Sequence, residues 1–331
     1  MNRYLSHTSA LEWLAYAKAD PLAPGAADRR ERLPRHDGTP LPPSGKTTRA
    51  DVDGLASFGL GYLAKPVHLL VPSSECRIRC ADARCHVRSG PFPARSFLPI
   101  DEGTFSSSPE LAFVQMAEVL DCPRLVKLGD ELCGIYGIET VDIVDFDRTS
   151  PFTTVKRLER FLLKAECMPG LVKARKAVRH IAPGSASPME TAIVLLLCLP
   201  PRLGGYGLPR PVMNGRASLK KQACRKPSDR RYRCDLLWPA ADIAVEYDSF
   251  LHHGSRAKMA DDARRRNDLL ARGTTVVSIT GRTVWNLIEL DEIARLLARR
   301  MGKRLSTNGV GWRKAQHELH GMLTGSFFDE R

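Results

Sequence analysis

The segment AVEYDSFLHH, residues 244–253, brings two carboxylates and two histidines together at the end of an apolar run. As a β-strand it places Glu246 and Asp248 on one face, because successive side chains alternate between the faces of a strand. Carboxylates bind hard divalent cations, and histidine transfers protons near neutral pH. His252 and His253 follow the acids at once, so the segment is a candidate hydrolytic site.

A predicted β-hairpin brings a further acid, Asp235, opposite Glu246. The tetrapeptide PAAD at 239–242 has the composition of a turn between two strand-like runs. If Trp238 faces Ile243, counting back pairs Leu237 with Ala244, Leu236 with Val245 and Asp235 with Glu246. Directly opposed residues share a face, and like charges there are destabilising. We therefore predict that Asp235 and Glu246 share a Mg²⁺ or Mn²⁺ ion, both of which prefer oxygen ligands.

Helices are predicted on either side of this hairpin. Ser187 and Pro188 are a favoured N-cap and first-turn pair, so a helix begins there and carries Glu190 in its first turn, where the helix dipole favours an anion. Residues 257–272 form a basic helix that ends at Gly273 and contains Arg265, either a phosphate contact or part of a solvated face. TTVVSIT follows as a central strand, and 284–300 as an amphipathic helix.

This arrangement resembles the PD-(D/E)XK nuclease superfamily, which has the restriction-endonuclease-like fold. The resemblance assigns Glu190 as the helix acid, Asp235 as the hairpin acid and Glu246 as the second strand acid. Asp248 stands where the superfamily has lysine. VEYDSFLHH followed by a basic helix is similar to the branch of Vsr mismatch endonucleases, which also lack the lysine and use a histidine after the strand. The resemblance thus implies that His253, or else His252, replaces the lysine and that Asp248 anchors the histidine or binds metal.

The residues before 185 divide into three segments. Residues 1–64 are predicted to be a short amphipathic helix, at 1–18, and a Pro/Gly-rich arm. Residues 65–150 combine short β-type runs with a helix that begins at Ser108-Pro109, and they resemble the middle domain of AbiEi-type antitoxin and regulator proteins. Residues 151–184 are a basic helical connector, interpreted as solvated.

Composition limits the class of protein. The 331 residues carry a formal net charge of +13, which favours nucleic acid as a partner. No secretory signal or membrane-length apolar run is present, so we expect a cytoplasmic protein that does not bind membranes. The nine cysteines are then reduced thiols. Zinc binding by Cys76, Cys80, Cys85 and His86 is disfavoured, because C-x3-C-x4-C-H matches no common zinc pattern.

The predicted fold class is α/β, with a smaller α+β domain before a restriction-endonuclease-like core, a mixed sheet flanked by helices, at 185–304 and a basic tail at 305–331. The predicted function is metal-dependent cleavage of nucleic acid, with DNA the expected substrate, in genome defence, mobile-element biology or repair. Two alternatives remain open. One is a non-catalytic DNA-binding regulator of antitoxin type with a nuclease-like domain. The other is a protein-interaction scaffold whose charge is incidental.

Overall fold

The chain forms two compact units, Met1–Ile181 and Ala182–Arg331, in a computed structural model. Both units are mixed α/β, each with a mixed sheet flanked by helices. The structure describes residues 2–19, 46–101, 103–138, 150–216, 232–248, 264, 267–271, 273–307 and 309–325.

Unit 1 is built on a five-stranded sheet with the order β3-β2-β1-β5-β4. Its strands are β1 (Arg3–Leu5), β2 (Val67–Val71), β3 (Ala83–Val87), β4 (Phe97–Asp101) and β5 (Thr104–Ser107). β1 runs antiparallel to β2 and parallel to β5, and β2 runs parallel to β3. The predicted β-type runs at β2, β3 and β4 are confirmed, whereas the three-residue central strand β1 was not predicted.

The helices of unit 1 begin largely where their caps predict. They are α1 (His7–Ala19), α2 (Arg49–Asp53), α3 (Pro109–Val119), α4 (Cys122–Cys133), α5 (Val155–Lys164) and α6 (Leu171–Ala177). Ser108 caps α3 as predicted, because its hydroxyl accepts a hydrogen bond from the Leu111 amide at 3.2 Å. Helix α1 is buried on most sides rather than amphipathic, since Trp13 and Leu14 are both at most 2% exposed. The helices α5 and α6 also have buried apolar faces that pack against α3 and α4.

Unit 2 begins with an apolar helix and continues into a four-stranded sheet with the order β6-β7-β8-β9. Its elements are α7 (Pro188–Cys198), β6 (Val212–Arg216), β7 (Arg233–Trp238), β8 (Ile243–Asp248), β9 (Thr275–Thr280), α8 (Gly281–Trp285), α9 (Leu287–Arg300) and α10 (Val310–Thr324). Strand β7 is antiparallel to both of its neighbours, β6 and β8, and β9 is parallel to β8. The pairing of β7 with β8 confirms the predicted pairs Trp238–Ile243, Leu237–Ala244 and Leu236–Val245.

Strand β9 departs from the prediction of a central strand. Among the described strands it lies at an edge of the sheet, next to β8, and Val276 and Val277 are only partly buried. Its run of β-branched residues reflects the preference of such residues for extended backbone, which edge strands share with central ones.

Helix α10 lies within the segment predicted to be a basic tail, and it has a buried polar contact. The carboxylate of Asp291, on α9, accepts hydrogen bonds from the Tyr206 hydroxyl and from Gln316 Nε2, and it pairs with Arg313 at 2.8 Å. Burial raises the pKa of Asp291, but these donors outweigh burial and hold it below its usual value. The contact therefore fixes α10 against α9 with an ionised carboxylate.

Candidate functional site

The two predicted acids lie on one face of the hairpin. The paired register ends at Leu236–Val245, and its continuation by one residue sets Asp235 opposite Glu246. The Asp235 carboxylate accepts a hydrogen bond from the Tyr247 amide at 2.8 Å, so it leans across to the backbone of β8. Both acids are half-buried. The carboxylates thus share a partly desolvated surface, as predicted from the turn.

A row of polar residues continues from these acids across the whole sheet. On one side, Glu246 is paired with Ser278 of β9. On the other side, the pairs Met213–Leu236 and Gly215–Cys234 of β6 and β7 flank Asn214 and Asp235, which places these two residues opposite each other. Residues paired across neighbouring strands project from the same face. The row Asn214–Asp235–Glu246–Ser278 therefore lies on one face of the sheet, between apolar residues such as Leu237 and Ala244 on one side and polar residues such as Arg233 and Asp248 on the other.

Asn214 is the hydrogen-bonding centre of the site, and the sequence did not predict it. Its side-chain nitrogen donates to Glu190 Oε2 at 2.6 Å and to the Gly184 carbonyl at 2.8 Å. Its side-chain oxygen accepts from Arg233 Nε at 2.6 Å. Its backbone is left-handed, with φ of 50°, a conformation that asparagine tolerates better than most residues. Strand β6 was not predicted, and only its pairing with β7 reveals that Asn214 joins the site.

Glu190 is held in the first turn of α7, as predicted. The Ser187 hydroxyl accepts a hydrogen bond from the Glu190 amide at 3.2 Å, and Glu190 Oε2 accepts one from the Ala186 amide at 2.9 Å. Burial raises the pKa of Glu190, and the nearby charge of Asp235 raises it further, against the lowering effect of these donors. The charge of Asp235 therefore affects the pKa of Glu190, and the hydrogen bond from Asn214 fixes the orientation of the Glu190 carboxylate.

The remaining predicted residues lie toward solvent or outside the described part of the chain. Asp248 is the last residue of β8, where it is exposed and paired with Thr280 of β9. It shares the face of Glu246, because it lies two residues further along the strand. His252, His253 and Arg265 lie outside the described residues.

The acids suit a metal held by two carboxylates. In the described part of the chain, no three of these acids bring their oxygens within 4.8 Å of one another. Mg²⁺ is commonly bound by one or two carboxylates, with waters and substrate phosphates completing its shell. The opposed Asp235 and Glu246 fit that pattern, while Glu190 is occupied by Asn214 and the Ala186 amide.

A different group of potential metal ligands lies in unit 1, and the sequence did not predict it. His7, His68 and His86 place their ligand atoms within 4.8 Å of one another. The thiols of Cys76, Cys80 and Cys85 are not part of such a group in the described residues, whereas His86, which follows them in the sequence, is. Nothing in the sequence marks the three histidines, because only the pairing of the strands brings them together.

No helix among the described residues is long and apolar enough to cross a membrane. A scan against protein-family models and searches of curated proteins and of solved structures find no match to this chain.

Proposed function

We propose that unit 2 is a metal-dependent nuclease that hydrolyses phosphodiester bonds of nucleic acid, with DNA the expected substrate. The observation that carries the proposal is the register of β7 and β8, whose continuation by one residue sets Asp235 opposite Glu246 in a polar row across one face of the sheet. Two like charges directly opposite each other destabilise a hairpin, and a cation bound between the two half-buried carboxylates would offset this repulsion.

The order of elements supports a restriction-endonuclease-like core for this unit. A helix that carries an acid is followed by antiparallel strands that carry two more, which is the order of parts in that superfamily. Strand β9 is parallel to β8, and a parallel pair requires a crossover of a dozen or more residues, usually helical. The described residues 267–271 of that crossover are helical.

The proposed chemistry divides among the side chains of the row. Asp235 and Glu246 would hold Mg²⁺ or Mn²⁺, which when bound lowers the pKa of a water and neutralises charge on the phosphate. Asn214 orients Glu190, which acts as a positioning residue beside Asp235. Asp248 is proposed to orient a proton-transferring group, and His253 or His252 is the proposed group.

Contact with the nucleic-acid backbone is proposed to come from the basic residues of the chain. The net charge of +13 favours a polyanion, and Arg265 is the proposed phosphate contact near the site. Arg233 is exposed and lies two residues before Asp235 on the same face, so it offers a second cation beside the acids.

A plasmid-cleavage assay tests the proposal. The full chain is incubated with supercoiled plasmid or with single-stranded DNA in Mg²⁺, Mn²⁺ or EDTA. We expect cleavage only with metal, and a loss of about 100-fold or more in Asp235→Asn, since metal assistance contributes several kcal/mol. Asp242→Asn is the matched control, because it makes the same change at the turn of the same hairpin. Equal cleavage by both variants would contradict the proposed site.

A second candidate function is a DNA-binding regulator that does not cut. It is favoured by the absence of three converging carboxylates in the described residues and by Asp248 in place of lysine. A regulator would bind DNA in EDTA and in Mg²⁺ alike, and wild type would leave every substrate intact.

A further inference from the structure

Three histidines of unit 1 converge because of how its central strands pair. Leu5 of β1 is paired with Leu69 of β2, so His7, just past the end of β1, lies near His68. His68 is paired with Arg84 of β3, and His86 lies two residues further along the face of Arg84. One histidine from each of three neighbouring elements thus arrives at the same place.

The distances between the imidazoles match those of metal ligands. His86 Nε2 lies 3.1 Å from His68 Nδ1. Ligand nitrogens around a tetrahedral zinc lie ~3.3 Å apart, given Zn–N bonds of about 2.0–2.1 Å. The His7 ring stacks on the His86 ring with centroids 3.6 Å apart, and all three ligand atoms lie within 4.8 Å of one another.

His7 contributes a buried nitrogen that lacks a partner. The residue is 1% exposed, its Nδ1 lies 3.1 Å from the Ser6 hydroxyl, and its Nε2 has no hydrogen-bond partner among the described residues. Its backbone is held, since the His7 amide donates to Gln115 Oε1 at 3.1 Å. A buried polar atom without a partner is costly, and a bound ion would satisfy it.

The ligand atoms of this group suit a transition metal. Neutral imidazole is a common ligand of zinc and other transition metals. Arg84 faces the same group, and its positive charge opposes a bound cation.

We propose that His7, His68 and His86 bind a divalent transition metal ion, with zinc the expected metal, in unit 1. A cavity of about 440 Å³ opens onto His7 and His86, and Gln115 and Glu118 also line it. Three protein ligands with a fourth position left open to a cavity are typical of zinc sites that accept water or a further ligand. The site is separate from the acids of unit 2 and differs in ligand chemistry, nitrogen against oxygen.

Metal titration of the full chain tests this site independently of cleavage. The protein is stripped with a chelator, and Co²⁺ and Zn²⁺ binding are followed by absorption and by calorimetry. We expect one tight site in wild type. Loss of an outer-shell partner lowers metal affinity by about 10–100-fold, and we expect His68→Gln and His86→Gln, which each remove a ligand, to lower it by more than that. His317→Gln, an exposed histidine outside the cluster, is the matched control and should bind as wild type does.

Two further variants separate this site from the others. Asp235→Asn should leave the tight Co²⁺ site unchanged even though it removes a ligand of the proposed carboxylate site, and Arg84→Gln should strengthen the tight site, because an opposing charge is removed. Circular dichroism of each stripped variant establishes that it is folded. Co²⁺ binding that is equal in wild type and both folded histidine variants would overturn the proposal, as would the absence of a tight site in wild type.

Discussion

Two substitutions at Asp235 separate its charge from its hydrogen bond. Asparagine removes the negative charge but keeps an oxygen that can accept from the Tyr247 amide, whereas alanine removes both. Without metal, relief of the like-charge pair should stabilise Asp235→Asn by about 0.2–1 kcal/mol. Asp235→Ala gains the same relief but loses a hydrogen bond to a charged acceptor, which contributes about 1.5–3 kcal/mol. In Asn the bond is kept but its acceptor is neutral, and such a bond contributes only about 0.5–1.5 kcal/mol, so its weakening offsets the relief of repulsion. We therefore expect Asn to lie within about 1 kcal/mol of wild type, and Ala to be less stable than wild type by about 0.5–2.8 kcal/mol.

Urea unfolding in EDTA and in saturating Mn²⁺ measures both effects. In EDTA we expect the unfolding free energy of Asn to be close to that of wild type and that of Ala to be lower. In Mn²⁺ wild type should gain stability by mass action, about 2.7 kcal/mol at a metal concentration of 100 times Kd, whereas Asn should gain much less. If Mn²⁺ stabilises wild type and Asn equally, the shared-metal argument is refuted.

Three further predictions concern other parts of the chain. Asp291→Asn should destabilise unit 2 at pH 7. Because folding lowers the pKa of Asp291, the difference in unfolding free energy from wild type should shrink as the pH falls below the ordinary pKa of 3.8, which urea unfolding at several pH values measures. Gly129→Ala should cost about 1–3 kcal/mol, because the new Cβ would meet Ile181 Cγ1 at 2.7 Å, while Gly321→Ala, with nothing within 4 Å, should gain about 0.5–1 kcal/mol in thermal melts. Glu246→Ala should retain DNA binding that weakens steeply with salt in fluorescence anisotropy, but should lose cleavage.

The hairpin and the helix starts could be predicted because their signals are local. The turn at 239–242 fixes the register of β7 and β8, and Ser-Pro pairs mark the first turns of α3 and α7. Each depends on residues within a few positions of one another, where turn chemistry and capping act directly.

The rest could not be predicted because it depends on distant partners. Strand β1 has three residues, too few for a periodic pattern, and it is a strand only because β2 and β5 lie beside it. Asn214 enters the candidate site only through the pairing of β6 with β7. The histidine cluster likewise exists only after β1, β2 and β3 have assembled, and a single sequence carries no record of such contacts.

The central place of β1 has a consequence for how unit 1 folds. Its neighbours in the sheet are far along the chain, since Leu5 pairs with Leu69 on one side and with Ser106 on the other. Contacts between residues so distant in sequence form only after large loops have closed, and topologies rich in them fold slowly. Until β1 docks, β2 and β5 each present an unsatisfied strand edge, the kind of edge that recruits other chains. The rate at which the three residues of β1 dock between β2 and β5 therefore determines how long these strand edges stay exposed to aggregation.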